Sequence, residues 1–290
     1  MSAMRLTGVL CSLCMLSSLT AQEPEREVPR VSSEEVKAAV DARRTEVRKE
    51  LAETAEKPGW AGEYRNTWEP GLGPFQVLEI APRSGFAYRS FGDLGVYCRN
   101  HGTVAEKDGR LRLDFAFPNR WKGAENVPSV LVPLVWREHR YLVKSTDLLA
   151  FANMINGGHE PRLSAPGFAL HRGTRNERTL EEDIAALPKD VRSKLLSSPV
   201  NGMITAVHET KVEEKGKLRR RMTIVTIDRG REHGLKVGHV VHITSGSSFL
   251  PGKGTVTAVE QCSARVRIRR VEFDHPRIPA VGWTWSTRRR

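Results

Sequence analysis

Cysteine is nearly missing from this chain. Four occur in 290 residues, and Cys11 and Cys14 fall in an apolar N-terminal stretch, which leaves only Cys98 and Cys262 beyond it. Two cysteines, one in each half, make no disulfide framework and no CxxC pair for zinc. Long apolar runs are missing as well. The longest, residues 6–19, is about 14 residues, short of the ~20 that a membrane-crossing helix needs. There is no HExxH, no His-x-His and no glycine-x-serine-x-glycine elbow, which excludes the common zinc-hydrolase and serine-hydrolase signatures. Gly252-Lys253-Gly254-Thr255 lacks the earlier glycine of a phosphate loop and runs into a strand pattern, so it reads as a hairpin turn. His239 and His242 are three apart on a strand pattern and point to opposite faces. Cys98 and His101 are the one Cys/His proximity, with no group to orient them. Nothing here calls for a cofactor or a metal.

Acidic charge is scarce in one place. The whole chain carries a net charge of +12, yet residues 199–290 hold 18 Lys and Arg against 8 Asp and Glu. The basic character belongs to the C-terminal third, and such a field attracts anionic partners.

What is present begins with a targeting pattern. Arg5 precedes the apolar run, and Ala21 before Gln22 offers a small-residue cleavage position. Residues 1–21 read as a signal peptide, so the mature protein is expected outside the cytoplasm, periplasmic or secreted, with no transmembrane segment. The alternatives are a buried N-terminal helix or a lipoprotein anchor, although neither Cys11 nor Cys14 follows a small residue as such anchors require. Residues 22–59 read as a polar leader and an amphipathic helix. Ser32 and Glu35 form a capping-box pair, Val36, Ala39, Val40, Val47 and Leu51 a thin stripe interrupted by Arg43 and Arg44, and Pro58-Gly59 a stop. This predicts a solvated helix packed loosely on the adjoining β-rich domain.

The remainder predicts a mainly β protein with short helices: two small β-barrel or sandwich-like domains. Residues 60–162 carry strand patterns at 75–80, 85–88, 94–97, 110–117, 127–136 and 140–143, with Asp108-Gly109 as the clearest hairpin turn. Ser145-Thr146-Asp147 caps a helix over 148–155, closed by Gly157-Gly158. Residues 163–198 read as a helical connector, polar over 164–178. Residues 199–290 read as a basic small barrel, with strands at 202–208, 221–227, 237–243, 254–259, 264–271 and 281–285 and an exposed loop over 211–217. Within it, residues 264–269 alternate strictly, so Val266 and Ile268 face the core while Arg265, Arg267 and Arg269 line up outside. Joined by Arg219 and Arg220, and by Trp283 near the end of the chain, they make the candidate partner-binding set.

Two resemblances are visible. Trp60-Ala61-Gly62 at the start of a β run resembles the opening of lipocalin-type domains, which implies a small up-and-down barrel. Gly230, then Gly234-Leu235-Lys236-Val237-Gly238 and a β run, resembles a pattern in small periplasmic β-barrel domains of bacterial envelope proteins. Examples are the rod-shape-determining MreC-type proteins and the C-terminal domain of flagellar assembly protein T. This second resemblance implies the fold and the compartment. The resulting expectation is an exported, non-enzymatic binding or assembly protein of a bacterial envelope. Its basic domain would contact an envelope protein or an anionic polymer. An exported hydrolase with a dispersed site in the first domain is one alternative. An oligonucleotide-binding barrel is another, since arginines beside aromatics hold single strands, but an export signal disfavours nucleic acid as partner.

Overall fold

The computed structural model describes residues 33–54, 58–65, 75–92, 95–121, 124–125, 127–137, 139–161, 168–170, 180–215, 218–245, 252–271 and 278–288. The expected signal peptide and most of the polar leader lie outside them. Residues from Ser33 onward form one compact unit containing two closed antiparallel barrels.

The first barrel is built from β1 (Gly62–Arg65), β2 (Phe75–Ala81), β3 (Gly85–Gly92), β4 (Gly95–Lys107), β5 (Arg110–Phe115), β8 (Val130–Trp136), β9 (His139–Lys144) and β10 (Phe168–Leu170). A small side hairpin, β6 (Arg120–Trp121) and β7 (Ala124–Glu125), stands between β5 and β8. Each barrel strand pairs with the next along the chain, and β10 closes the ring on β1. This is an up-and-down meander. Period-two patterning explains it: along β5, Leu111 and Leu113 are buried while Arg110, Arg112 and Asp114 are exposed. Asp108 and Gly109 both have positive φ, the mirror-image two-residue turn expected there. Tyr64, Leu78, Ile80, Phe86, Leu131 and Leu142 fill the interior. The closing strand β10 falls in the stretch read from sequence as a polar connector. Three residues of pairing are too short to show a period.

Helix α1 (Ser33–Glu53) lies across β2, β3 and β4. It is not loosely held. Val40 and Val47 are fully buried, and the arginines that interrupt its apolar stripe make the strongest attachments. Arg44 and Arg48 both reach Glu79 on β2, at 2.9 and 2.5 Å, and the Glu79 side chain is only 1% exposed. Arg43 donates to the Ser84 carbonyl. Glu50 accepts the backbone N–H groups of Arg83 and Ser84. Burial raises the Glu50 pKa, but the hydrogen bonds from Ser84 and Arg83 outweigh it, and the net shift is downward. The proposed cap residue Ser32 lies outside the described residues.

On the opposite flank, α2 (Leu148–Asn156), α3 (Leu180–Ala186) and α4 (Lys189–Arg192) cover β8 and β9. Leu148, Phe151, Leu187 and Val191 pack there on Val132, Leu134, Trp136 and Val143. Ser145–Asp147, expected as a helix cap, forms a 3-10 turn, and Asp147 makes no side-chain cap bond. The turn already directs the chain into the helix.

The second barrel comprises β11 (Asn201–Lys215), β12 (Leu218–Ile227), β13 (Val240–Thr244), β14 (Gly252–Val259), β15 (Ala264–Val271) and β16 (Thr284–Ser286). Around the ring the order is β11-β12-β15-β14-β13-β16, closing on β11. Ile204, Val225, Ile227, Val241, Val266 and Trp285 form its core. The expected loop over 211–217 is instead an extension of β11 and β12, with Lys215 paired to Leu218. Residues 208–213 are all exposed, so this arm stands clear of the core and its sequence carries no buried-face period.

Candidate functional site

The alternation along β15 places its arginines as the sequence implied. Ala264, Val266 and Ile268 are buried, Arg265 and Arg269 are exposed, and Arg267 is half-exposed. Alternate residues on a strand are ~6.6 Å apart, so the three cationic stems span about 13 Å. β15 pairs with β12 so that Arg265, Arg267 and Arg269 face Thr226, Ile224 and Met222. Arg220 continues the same face of β12 one row further on. On the other side Thr255 pairs with Arg267, and Lys253 lies two residues back on that face of β14. On β11, Glu209 and Lys211 face Ile224 and Met222 and pair with each other at 2.7 Å. Among the described residues, Arg265, Arg267 and Arg269 form no ion pair. The result is a cationic row beside a half-buried apolar strip.

The other members of the expected set do not all join it. Arg219 is on β12, paired with Glu214, and its side chain lies outside the described residues. Trp283 precedes β16, which lies across the ring from β15. Its half-buried ring packs on the core. Trp285 is buried, its Nε1 donating to Asp228 Oδ1 at 3.3 Å. Neither tryptophan provides a stacking surface beside the arginines.

The glycine-marked stretch between β12 and β13 is also an attachment. Asp228 holds the ends of β11 and β16, accepting from the Met203 N–H at 2.8 Å and from Trp285. Gly238 has φ +88 and sits against Leu149 of α2, where an added Cβ would come within 2.3 Å of Leu149 Cδ2. Asn153, one turn further along α2, donates to the Gly238 carbonyl at 2.9 Å and accepts from the Val240 N–H at 3.1 Å. His239 is 1% exposed. Its Nδ1 accepts the Lys236 N–H, and its Nε2 faces the Lys194 carbonyl at 3.0 Å. The imidazole is therefore neutral with the proton on Nε2, and burial lowers its pKa. Lys236 Nζ donates to the Ser193 carbonyl. These contacts join the second barrel to the helices packed on the first. Nothing in the local sequence marks His239 as buried or Asn153 as a clamp, since their partners lie more than forty positions away. The signal it had was the glycine spacing, which marks close backbone approach.

Cys98 and His101 point to opposite faces of β4, three residues apart. Cys98 packs on the interior cluster, and burial raises its thiol pKa. Burial lowers the pKa of His101, whose Nδ1 is enclosed and has no hydrogen-bond partner among the described residues. Among the described residues no three His, Cys, Asp or Glu side chains are grouped to hold a metal ion, and no helix is long and apolar enough to cross a membrane.

The architecture defines a β protein of two closed barrels clamped by short helices. No protein-family model, curated protein or solved structure matches this chain significantly.

Proposed function

We propose that the protein is an exported, non-enzymatic binding module of a bacterial envelope, whose second barrel holds an anionic polymer or the acidic surface of an envelope protein. The supporting observation is the row of Arg265, Arg267 and Arg269 on the outer face of β15, free of ion pairs among the described residues. Arginine stems rooted ~6.6 Å apart along a strand suit a ligand with repeated negative charge. The half-buried Met222 and Ile224 beside them add an apolar strip that a purely ionic surface lacks. The pattern of residues 1–21 supports export. The position of Trp283 across the barrel counts against single-stranded nucleic acid as the ligand.

The test uses the full chain without residues 1–21 and fluorescent polyglutamate as probe, followed by anisotropy. Binding is expected at low ionic strength. It should weaken steeply as salt shortens the screening length to ~10 Å at 0.1 M. Replacing Arg265, Arg267 and Arg269 together by alanine should weaken it about tenfold or more. No binding at low salt, or an unchanged affinity in the triple variant, overturns the reading.

A further inference from the structure

We propose that a cleft between the two barrels binds a small organic anion, a carboxylate or phosphate group carried on a compact apolar body. The cleft has a volume of about 240 Å³ and is walled by the β8–β9 end of the first barrel, its helices and residues 195–199, with Arg288 reaching it from just beyond β16. That volume lies just under the range typical of small-molecule sites, so the occupant is small. Its floor is apolar, formed by Trp136, Ile155, Ile184, Leu195 and Leu196. Its polar side chains are Arg137, His159, Arg288, Ser197, Ser198 and Asn156, the last engaged by the Lys194 carbonyl and the Leu196 N–H.

The two arginines come from different barrels. Arg137 sits in the β8–β9 turn, where Trp136 pairs with His139 across two residues. Such turns favour Asn and Gly, yet Arg137 occupies it with φ +52, a conformation that long side chains rarely adopt. Arg288 follows β16. Its guanidinium occupies space left by Gly158, where an added Cβ would lie 2.9 Å from Arg288 Nε. Gly158 itself has φ +75. A glycine clears room for one arginine, and a turn accepts strain to present the other.

The opposing charge is Glu160. Its Oε2 is 3.8 Å from Arg137 Nη1, beyond hydrogen-bond reach, and its Oε1 accepts from the Tyr141 hydroxyl at 2.5 Å. Among the described residues neither the Arg137 nor the Arg288 guanidinium donates a hydrogen bond. Arg137 lies over the Trp136 ring at 6.0 Å, and two guanidinium forks, an imidazole and two hydroxyls over an apolar floor fit an anion with an apolar body. This site is separate from the β15 face.

Calorimetric titration and thermal shift of the full chain without residues 1–21 test it. The probes are hexanoate and phenyl phosphate, with hexanol, phenol and inorganic phosphate as controls. At least one organic anion is expected to bind saturably at up to about 10 mM. The stronger of the two identifies carboxylate or phosphate as the natural group. Its neutral analogue should bind at least tenfold more weakly, and inorganic phosphate likewise if the floor contributes. Arg288→Ala should weaken binding about tenfold. Arg137→Gly should do the same while leaving the melting temperature equal or higher, because glycine suits the turn. The β15 triple variant should bind the probe unchanged, which separates this site from the cationic face. No saturable binding, equal affinity for a neutral analogue or for inorganic phosphate, or unchanged affinity in both cleft variants overturns the proposal. Loss of binding in the β15 variant also overturns it.

Discussion

Replacing Asn153 by alanine cuts the connection between the barrels at one side chain. Its amide makes two hydrogen bonds to the Gly238–Val240 backbone, at 2.9 and 3.1 Å. A net worth of ~1 kcal/mol per bond makes the loss about 2 kcal/mol, and more if the freed carbonyl and N–H stay dry. For a compact unit of this size that lowers the melting temperature by roughly 3–4 °C. Asn153→Asp is the sharper probe. The carboxylate still accepts from the Val240 N–H, but it turns an oxygen toward the Gly238 carbonyl where a donor stood. Aspartate should therefore cost more than alanine, although it is closer in shape. Calorimetry of the three proteins at one pH measures this, and the parent should melt in one transition if the barrels are coupled. A shift below about 1 °C for alanine, or aspartate milder than alanine, refutes the clamp as a stabilising contact.

Three more perturbations probe neighbouring contacts. His239 is neutral and buried, with its pKa below the ordinary 6.5, so the unfolded chain takes up the proton first as pH falls. The stability this provides is present above about pH 6.5 and declines below it. His101 shifts in the same direction, so His239→Gln should flatten, without abolishing, the slope of unfolding free energy between pH 7 and about pH 5. An unchanged slope contradicts the assignment. Glu79→Ala leaves Arg44 and Arg48 without their shared carboxylate. Because both arginines are partly exposed, the cost is about 2 kcal/mol rather than the 3–5 of a fully buried pair. Amide exchange along α1 should rise, and unaltered protection there would contradict it. Gly238→Ala should destabilise by at least ~2 kcal/mol, from its positive φ and the encounter with Leu149; denaturant unfolding reads this directly.

The barrels were legible because one-faced burial writes itself as alternation. The β15 pattern predicted which residues point outward, and Asp108-Gly109 predicted its turn. What sequence reading missed had no period to show. β10 pairs over three residues, and the arm of β11 and β12 is exposed on both faces. The firm seating of α1 leaves no mark in the apolar stripe because arginines carry it: Arg43 and Arg44, which interrupt the stripe, and Arg48. Their partners Ser84 and Glu79 lie more than thirty positions away. The glycines between β12 and β13 are visible in the sequence, but the neighbour that crowds Gly238, Leu149, lies in another part of the chain. Trp283 was grouped with the arginines by nearness in sequence, which ring order does not respect.

Both rings are sealed by their first and last strands. β1 at residue 62 waits for β10 at 170, and β11 at 201 waits for β16 at 286. A chain emerging from its N-terminus therefore carries each sheet open-edged until its final few residues appear. Such distant pairings come late and slowly in folding, and open strands are then exposed to pairing with other chains. In the second barrel, β11 and β13 each keep an open edge until β16, at residues 284–286, lies between them.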